Sequence, residues 1–214
     1  MIPNLAMFDY DGVIGDSYEM HVACMLKAFA SRDFHAITTP EGVIELYAEN
    51  VYISLGKYGL SEKQIDQIIN AYKNFQAEKL DSAQLFPGIK EALERIAETS
   101  KIYIITSNIS GAVASILRQK NIDCVADILG SDKEKSKIKK IRGLVAKYPA
   151  SQAYYIGDTQ GDIVEGKSAG VATVGVAWGW HSSDKLSLLS PDHLVDTPAQ
   201  LAQLFEKATA GDAN

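Results

Sequence analysis

The chain has 214 residues, of which 46% are hydrophobic and 22% charged, an ordinary soluble composition sized for one large domain or a core with an insertion. Its formal net charge of −6, without a long basic block, argues against nucleic acid or an anionic membrane as a partner. Cys24 and Cys124 are too few and too isolated for a disulfide framework or a structural zinc site, so a cytoplasmic setting is expected. The opening residues lack the basic start of a secretory leader, and the apolar run meets Asp9 too early for one. No apolar run is long enough to span a bilayer.

In chain order, the first expected element is a buried strand over residues 5–8. Residues 17–85 then show only helical patterns, including Ile65, Ile68, Ile69, Tyr72 and Phe75. That block is far longer than the dozen or so residues a simple crossover needs. It reads as a helical cap inserted after the first strand, leaving residues 1–16 and 86–214 as the core. Pro87 and Gly88 open a helix with Ile89, Ala92, Leu93 and Ile96 on one side. A strand over 102–105 follows, then a helix over 111–120 and a weaker strand over 124–129. Ile138, Ile141, Leu144 and Val145 mark a further helix in a lysine-rich stretch. Strands over 153–156 and 171–177 come next, and Thr197-Pro198 opens a last helix carrying Leu201, Leu204 and Phe205. Beyond Phe205 the spacing lapses, and TAGDAN is expected to fray. The alternation predicts an α/β fold, a doubly wound and mostly parallel sheet.

Three of these strands end in chemistry. The first runs into Asp9-Tyr10-Asp11-Gly12, the second into Thr106-Ser107-Asn108, and the fourth into Gly157-Asp158-Thr159-Gln160-Gly161-Asp162. Residues i and i+2 of an extended chain share a face, so Asp9 and Asp11 project together, and buried carboxylates so placed require a cation. In open α/β sheets ligands bind beyond the carboxyl ends of the strands. Four carboxylates and a hydroxyl meeting there form the oxygen-rich surrounding that Mg²⁺ prefers. A lysine ahead of a helix, Lys135 or Lys137, supplies positive charge opposite the metal.

Together these motifs resemble the haloacid dehalogenase superfamily, in particular its phosphoglycolate-phosphatase-like members with a helical cap. DYDGVIGDS matches that family's Asp-x-Asp-Gly opening, Thr106 in IYIITSN its second motif, and GDTQGD its Gly-Asp-x-x-x-Asp loop. The stretch KSAGVATVGVAWGWHSSDKL and the later PDHLVDTPAQL are similar to its last strand and C-terminal helix. The likeness spans the core end to end, whereas the cap matches only in position and helical character.

The resemblance implies a Rossmann-like core and a Mg²⁺-dependent phosphatase acting on a small phosphorylated metabolite. Asp9 would be the nucleophile and Asp11 the general acid and base. Asp9, the Asp11 carbonyl, Asp158 and Asp162 would hold the metal. Gly12, Thr106, Ser107, Asn108 and a lysine would hold phosphate. Strand length favours Thr106 over Ser107 as the hydroxyl facing phosphate. Lys135, 23 residues before Asp158, is preferred to Lys137 by that separation. A phosphosugar mutase sharing both acids is the alternative enzyme, and a binding protein on the same fold is the third reading. His21, His35, His181 and His193 lack metal-ligand spacing, which leaves surface or cap roles as their expectation, with approach to the substrate as the alternative for His21, a helical turn after the first strand. Trp178 and Trp180 fit either the crevice mouth or the core, and Tyr10 should point away from the metal.

Overall fold

A computed structural model describes residues 3–79, 84–150 and 152–211. The first strand, β1 (Asn4–Phe8), is buried along its whole length. After the two-residue β2 (Gly15–Asp16) come α1 (Tyr18–Ala30), α2 (Pro40–Glu45), a 3-10 turn (Leu46–Ala48), α3 (Val51–Gly56) and α4 (Glu62–Ala77). The short β3 (Gln84–Leu85) then pairs antiparallel with β2, tying both ends of the helical segment together. The remaining elements alternate: α5 (Ile89–Ala97), β4 (Ser100–Ile105), α6 (Ser110–Gln119), β5 (Val125–Leu129), α7 (Lys137–Lys147), β6 (Ala153–Gly157), α8 (Gln160–Ala169), β7 (Ala172–Val176), α9 (Ser183–Ser187), β8 (His193–Val195) and α10 (Pro198–Gly211).

Six strands form one sheet in the order β5-β4-β1-β6-β7-β8, with every pairing parallel. Successive side chains of β1 serve opposite faces, as a strand's two-residue period requires. Ala6 and Phe8 join Leu93 of α5, Ile116 of α6 and Phe205 of α10. Leu5 and Met7 pack instead with Ile141 and Leu144 of α7. Both faces are covered, which is why these strands read as continuous apolar runs. The strand order reverses between β1 and β6, so the crevice expected of such a sheet opens at their carboxyl ends.

The segment from α1 to α4 has an apolar cluster of its own, built from residues such as Met25, Phe29, Val43, Leu55, Ile68 and Tyr72. Its helix starts are locally encoded. Thr39 caps α2 with Pro40 at the first turn, Asn50 caps α3, and Ser61 with Gln64 forms a capping box on α4. The expected cap boundary of 17–85 includes residues 80–83, which lie outside the described residues.

Several expectations need adjustment. On α7, Val145 is exposed, and the inward positions are Lys140, Ile141 and Leu144. The last helix runs on to Gly211, past the point where its apolar spacing lapses, whereas residues 212–214 of TAGDAN lie outside the described residues. Tyr148 ends α7 in an extended conformation. Among the described residues no helix is long and apolar enough to cross a membrane.

Candidate active site

The carboxyl ends of β1, β4 and β6 and the start of α7 bring the acidic residues and one lysine to a single point. Asp9 follows β1 directly. Its Oδ1 accepts from the Tyr10 amide at 2.7 Å, and its Oδ2 accepts from Lys137 Nζ at 2.8 Å. Lys137 Nζ also donates to Asp162 Oδ1 at 2.7 Å, so one buried ammonium spans two carboxylates. The lysine expected at 135 stands elsewhere: its ammonium is exposed and lies 3.9 Å from Asp66 on α4. The physical reason is where the helix starts. Ser136 is the cap of α7, which makes Lys137 the first helical residue and leaves Lys135 in the loop before it.

Asp162 is the third residue of α8 and closes a capping box with Thr159. Its Oδ2 accepts from Thr159 Oγ1 at 2.6 Å and from the Thr159 amide at 3.2 Å, and its Oδ1 accepts from Tyr155 at 2.9 Å. With Lys137 that makes four donors, enough to occupy the carboxylate. Asp158 is the opposite case. Its Oδ2 accepts from the Trp180 amide at 2.7 Å, while its fully enclosed Oδ1 has no partner among the described residues. Gly12 makes that enclosure possible. It has φ +76°, and a Cβ there would stand 2.0 Å from Asp158 Oδ2. The Gly12 amide donates to the Gly15 carbonyl at 2.9 Å, so the phosphate contact expected of it is already taken up within the turn.

Burial, reinforced by Asp162 and Asp11, pushes the Asp9 carboxyl up to about 7, with Lys137 pulling the other way. Burial also raises Asp11, against the Asn108 hydrogen bond, and lifts Asp158 well above the usual carboxylate range with help from Asp162 and Asp9. Burial disfavours ionisation of Asp162 too, but Lys137, Thr159 and Tyr155 together outweigh it and bring its pKa down. For Lys137 burial is likewise overcome, by Asp162 and Asp9, and its pKa is raised. Three carboxyls whose charge is disfavoured, Asp9, Asp11 and Asp158, thus share one crevice with the satisfied Asp162–Lys137 pair.

Ligand oxygens of Asp9, Asp158 and Asp162 lie within 4.8 Å of one another. Such hard, buried oxygens with one unpartnered atom suit a small divalent cation. At the end of β4, Thr106 is fully buried and its Oγ1 accepts from the Asn108 amide at 3.0 Å. Asn108 Nδ2 donates to Asp11 Oδ2 at 2.7 Å, and Ser107 lines the cavity. Buried Lys140 donates to the Thr106 carbonyl at 2.7 Å, bracing that turn from α7. The cavity runs from Asp9, Asp11 and Lys137 to His21, Tyr47, Tyr72 and Trp180.

A family model described as haloacid dehalogenase-like hydrolase matches residues 6–176. The chain belongs to this family. The haloacid dehalogenase-like hydrolase described here is 24% identical over 201 residues to a phosphoglycolate phosphatase of Synechococcus elongatus, covering 92% of this chain and 94% of the other. It is also 24% identical to the pyrophosphatase PpaX of Bacillus velezensis, over 92% of this chain and 94% of the other. Among solved structures, a predicted phosphatase from Clostridium acetobutylicum superposes with a TM-score of 0.83 at 19% identity, covering 97% of this chain and all of that one. At that identity the likeness shows the fold.

Sequence reasoning missed three contributors to this hydrolase's site. Tyr155 holds Asp162 from within β6, the Trp180 amide holds Asp158, and buried His181 spans two layers. His181 Nδ1 accepts from the Gln160 amide at 3.0 Å, and Nε2 donates to the Ile44 carbonyl at 3.2 Å. No pattern in the sequence distinguishes such contacts from ordinary core packing. Of the two tryptophans, Trp180 lines the cavity, whereas Trp178 packs on the core and donates to the Val13 carbonyl at 3.1 Å. Near the layer boundary, a Cβ at Gly161 would meet the Tyr47 and Glu49 carbonyls at 3.0 and 3.2 Å.

Proposed function

We propose that this hydrolase is a Mg²⁺-dependent phosphatase that cleaves a small phosphomonoester through a phosphorylated Asp9. The observation that carries this reading is the Lys137 ammonium held between Asp9 and Asp162, with Asp11 beside it. Lys137 favours the ionised form of Asp9, which a carboxylate nucleophile needs. Asp9 attacks phosphorus, an oxygen–phosphorus bond forms, and the bond to the leaving oxygen breaks. Asp11, oriented by Asn108, gives that oxygen a proton and then takes one from the water that releases phosphate. Ser107 at the cavity wall receives phosphoryl oxygens together with Lys137. Thr106 keeps a hydroxyl proton to donate from beneath the turn.

Asp9 and Asp158 are the carboxylates with capacity for Mg²⁺, and the Asp11 carbonyl completes the expected protein ligands. Asp162, already holding four donors, contributes by fixing Lys137. When bound, Mg²⁺ offsets carboxylate charge and stabilises charge on the transferring phosphoryl group. The α1–α4 segment acts as a cap over the crevice, spanning about residues 17–85, and supplies the far cavity wall. Curated relatives named for phosphoglycolate and pyrophosphate share this framework, which supports phosphatase chemistry and leaves the leaving group to the cap.

The test is hydrolysis of p-nitrophenyl phosphate with Mg²⁺, with EDTA, and by Asp9→Asn. Activity that requires Mg²⁺ and vanishes in the variant is expected, with a phosphate adduct on the Asp9 peptide after acid quench. Metal-dependent activity unchanged in Asp9→Asn would overturn the assignment of the nucleophile.

A further inference from the structure

The cavity wall facing the acids is aromatic. His21 lies 4.3 Å from Trp180, 5.1 Å from Tyr47 and 5.0 Å from Tyr72 between ring centroids. Two polar atoms in this box have no partner among the described residues: His21 Nε2 and Trp180 Nε1. His21 is only 3% exposed, so an unanswered ring nitrogen there is costly unless something else answers it. Its tautomer follows from its neighbours. His21 Nδ1 lies 2.8 Å from the Tyr72 hydroxyl, and we assign the phenol as the donor of that bond because a phenol has one proton to give. That leaves the imidazole proton on Nε2.

The box therefore offers two neutral N–H donors, from His21 and Trp180. Burial drives the His21 pKa down to about 3, so this ring stays uncharged under ordinary conditions. Acceptors line the same cavity, in the carboxylates of Glu49 and Glu165. Glu49 is itself paired with Lys57, so its oxygens are offered as acceptors from within an ion pair. The two other lysines of the lining are engaged by the protein. Lys73 donates to Ser131 at 3.2 Å, and Lys135 lies near Asp66. Flat aromatic faces suit C–H surfaces, neutral donors suit ether and hydroxyl oxygens, and carboxylates suit hydroxyl protons.

Building on the phosphatase reading, we infer that the natural substrate is a phosphorylated sugar or sugar alcohol, whose uncharged, hydroxyl-bearing leaving group is held by the His21, Tyr47, Tyr72 and Trp180 box. Short phosphocarboxylates have neither the apolar face nor the hydroxyl pattern that this wall reads. Trp180 has a second duty, because its backbone amide holds Asp158. A leaving group seated on its ring is thereby placed close to the reacting centre.

The test compares kcat/KM for ribose 5-phosphate, hexose 6-phosphates and sorbitol 6-phosphate with that for 2-phosphoglycolate and 3-phosphoglycerate. The wild-type enzyme is expected to favour a member of the first group by about tenfold or more, in the range that a few good polar contacts provide. Trp180→Phe and His21→Phe retain a ring and remove one donor each. Each should lower kcat/KM for the sugar phosphate about tenfold, mainly through KM, and lower p-nitrophenyl phosphate hydrolysis much less. Preference for the phosphocarboxylates in the wild type overturns the inference and leaves the phosphatase reading intact. An equal loss on every substrate in both variants also overturns it, by showing that the box is only structural. Hydrolysis of p-nitrophenyl phosphate with Mg²⁺ but of none of these esters also overturns the inference and leaves the phosphatase reading intact, whereas no hydrolysis of either overturns the phosphatase reading itself.

Discussion

Replacing Lys137 by methionine removes the charge while keeping much of the side chain's length. In the structure this ammonium has two carboxylate contacts, at 2.8 and 2.7 Å, and the three side chains involved are almost wholly enclosed. Removing one partner of a buried pair costs about 3–5 kcal/mol, because the other charge stays behind. Here the lower end applies to Asp162, which keeps Thr159 and Tyr155 as donors. Asp9 keeps only the Tyr10 amide among its hydrogen bonds described above. A loss of about 3 kcal/mol follows, and for a chain of this size it lowers Tm by roughly 6–12 °C. Circular-dichroism melts in EDTA read this directly. Adding Mg²⁺ should restore more stability to Lys137→Met than it adds to the wild type, because the cation then takes over charge that the lysine had offset. Pairing the variant with Asp162→Asn should recover part of the loss, a coupling expected of residues in contact. A fall of less than about 2 °C in EDTA would refute this account, since it would mean the pair contributes almost nothing.

Two further perturbations separate geometry from charge. Gly12→Ala meets both a positive φ and Asp158 Oδ2 at 2.0 Å, whereas Gly88→Ala meets a similar φ with nothing within 4 Å. Both should destabilise by about 1–3 kcal/mol of backbone strain, but only Gly12→Ala should also cut hydrolysis by about a hundredfold, the scale of a 1 Å misplacement; equal activities would refute the role given to that close approach. His21, at about 3 in the fold against an ordinary 6.5, binds its proton more readily when unfolded. Its contribution to stability is therefore complete above pH 6.5 and is lost as the pH falls towards 3, at about 1.4 kcal/mol per unit. Urea titrations at pH 6.5 and 5 should show the wild type losing about 2 kcal/mol more than His21→Phe, and parallel losses would exclude the buried neutral imidazole.

The sheet was legible because its strands are buried on both faces, and the carboxylates ending them were legible because acid is conspicuous after such runs. The strand β8 has three residues and β2 and β3 two each, too few for any alternation to register. Helix α8 left no amphipathic trace for a different reason: its inward residues include Gly161, Asp162 and Gly166. Close backbone approach and a polar anchor replace the usual apolar stripe there. On α7, Lys140 points inward and Val145 outward, so counting apolar residues misjudges which face packs. Choosing between Lys135 and Lys137 depended on the helix starting at Ser136, and one residue of uncertainty in a helix start exceeds the difference sought. The linking of Asp162 to Tyr155, and of Trp180 to Asp158, joins positions that are separate in sequence and carry no shared pattern.

Gly161 sits between the two aspartates of their loop and contributes no ligand, yet the Tyr47 and Glu49 carbonyls approach it across the crevice. A methyl group at that position would act as a shim, crowding both carbonyls so that the chain on one side must give by a few tenths of an ångström. The same short loop thus sets both the spacing of the two layers, at Gly161, and the position of Lys137, through Asp162.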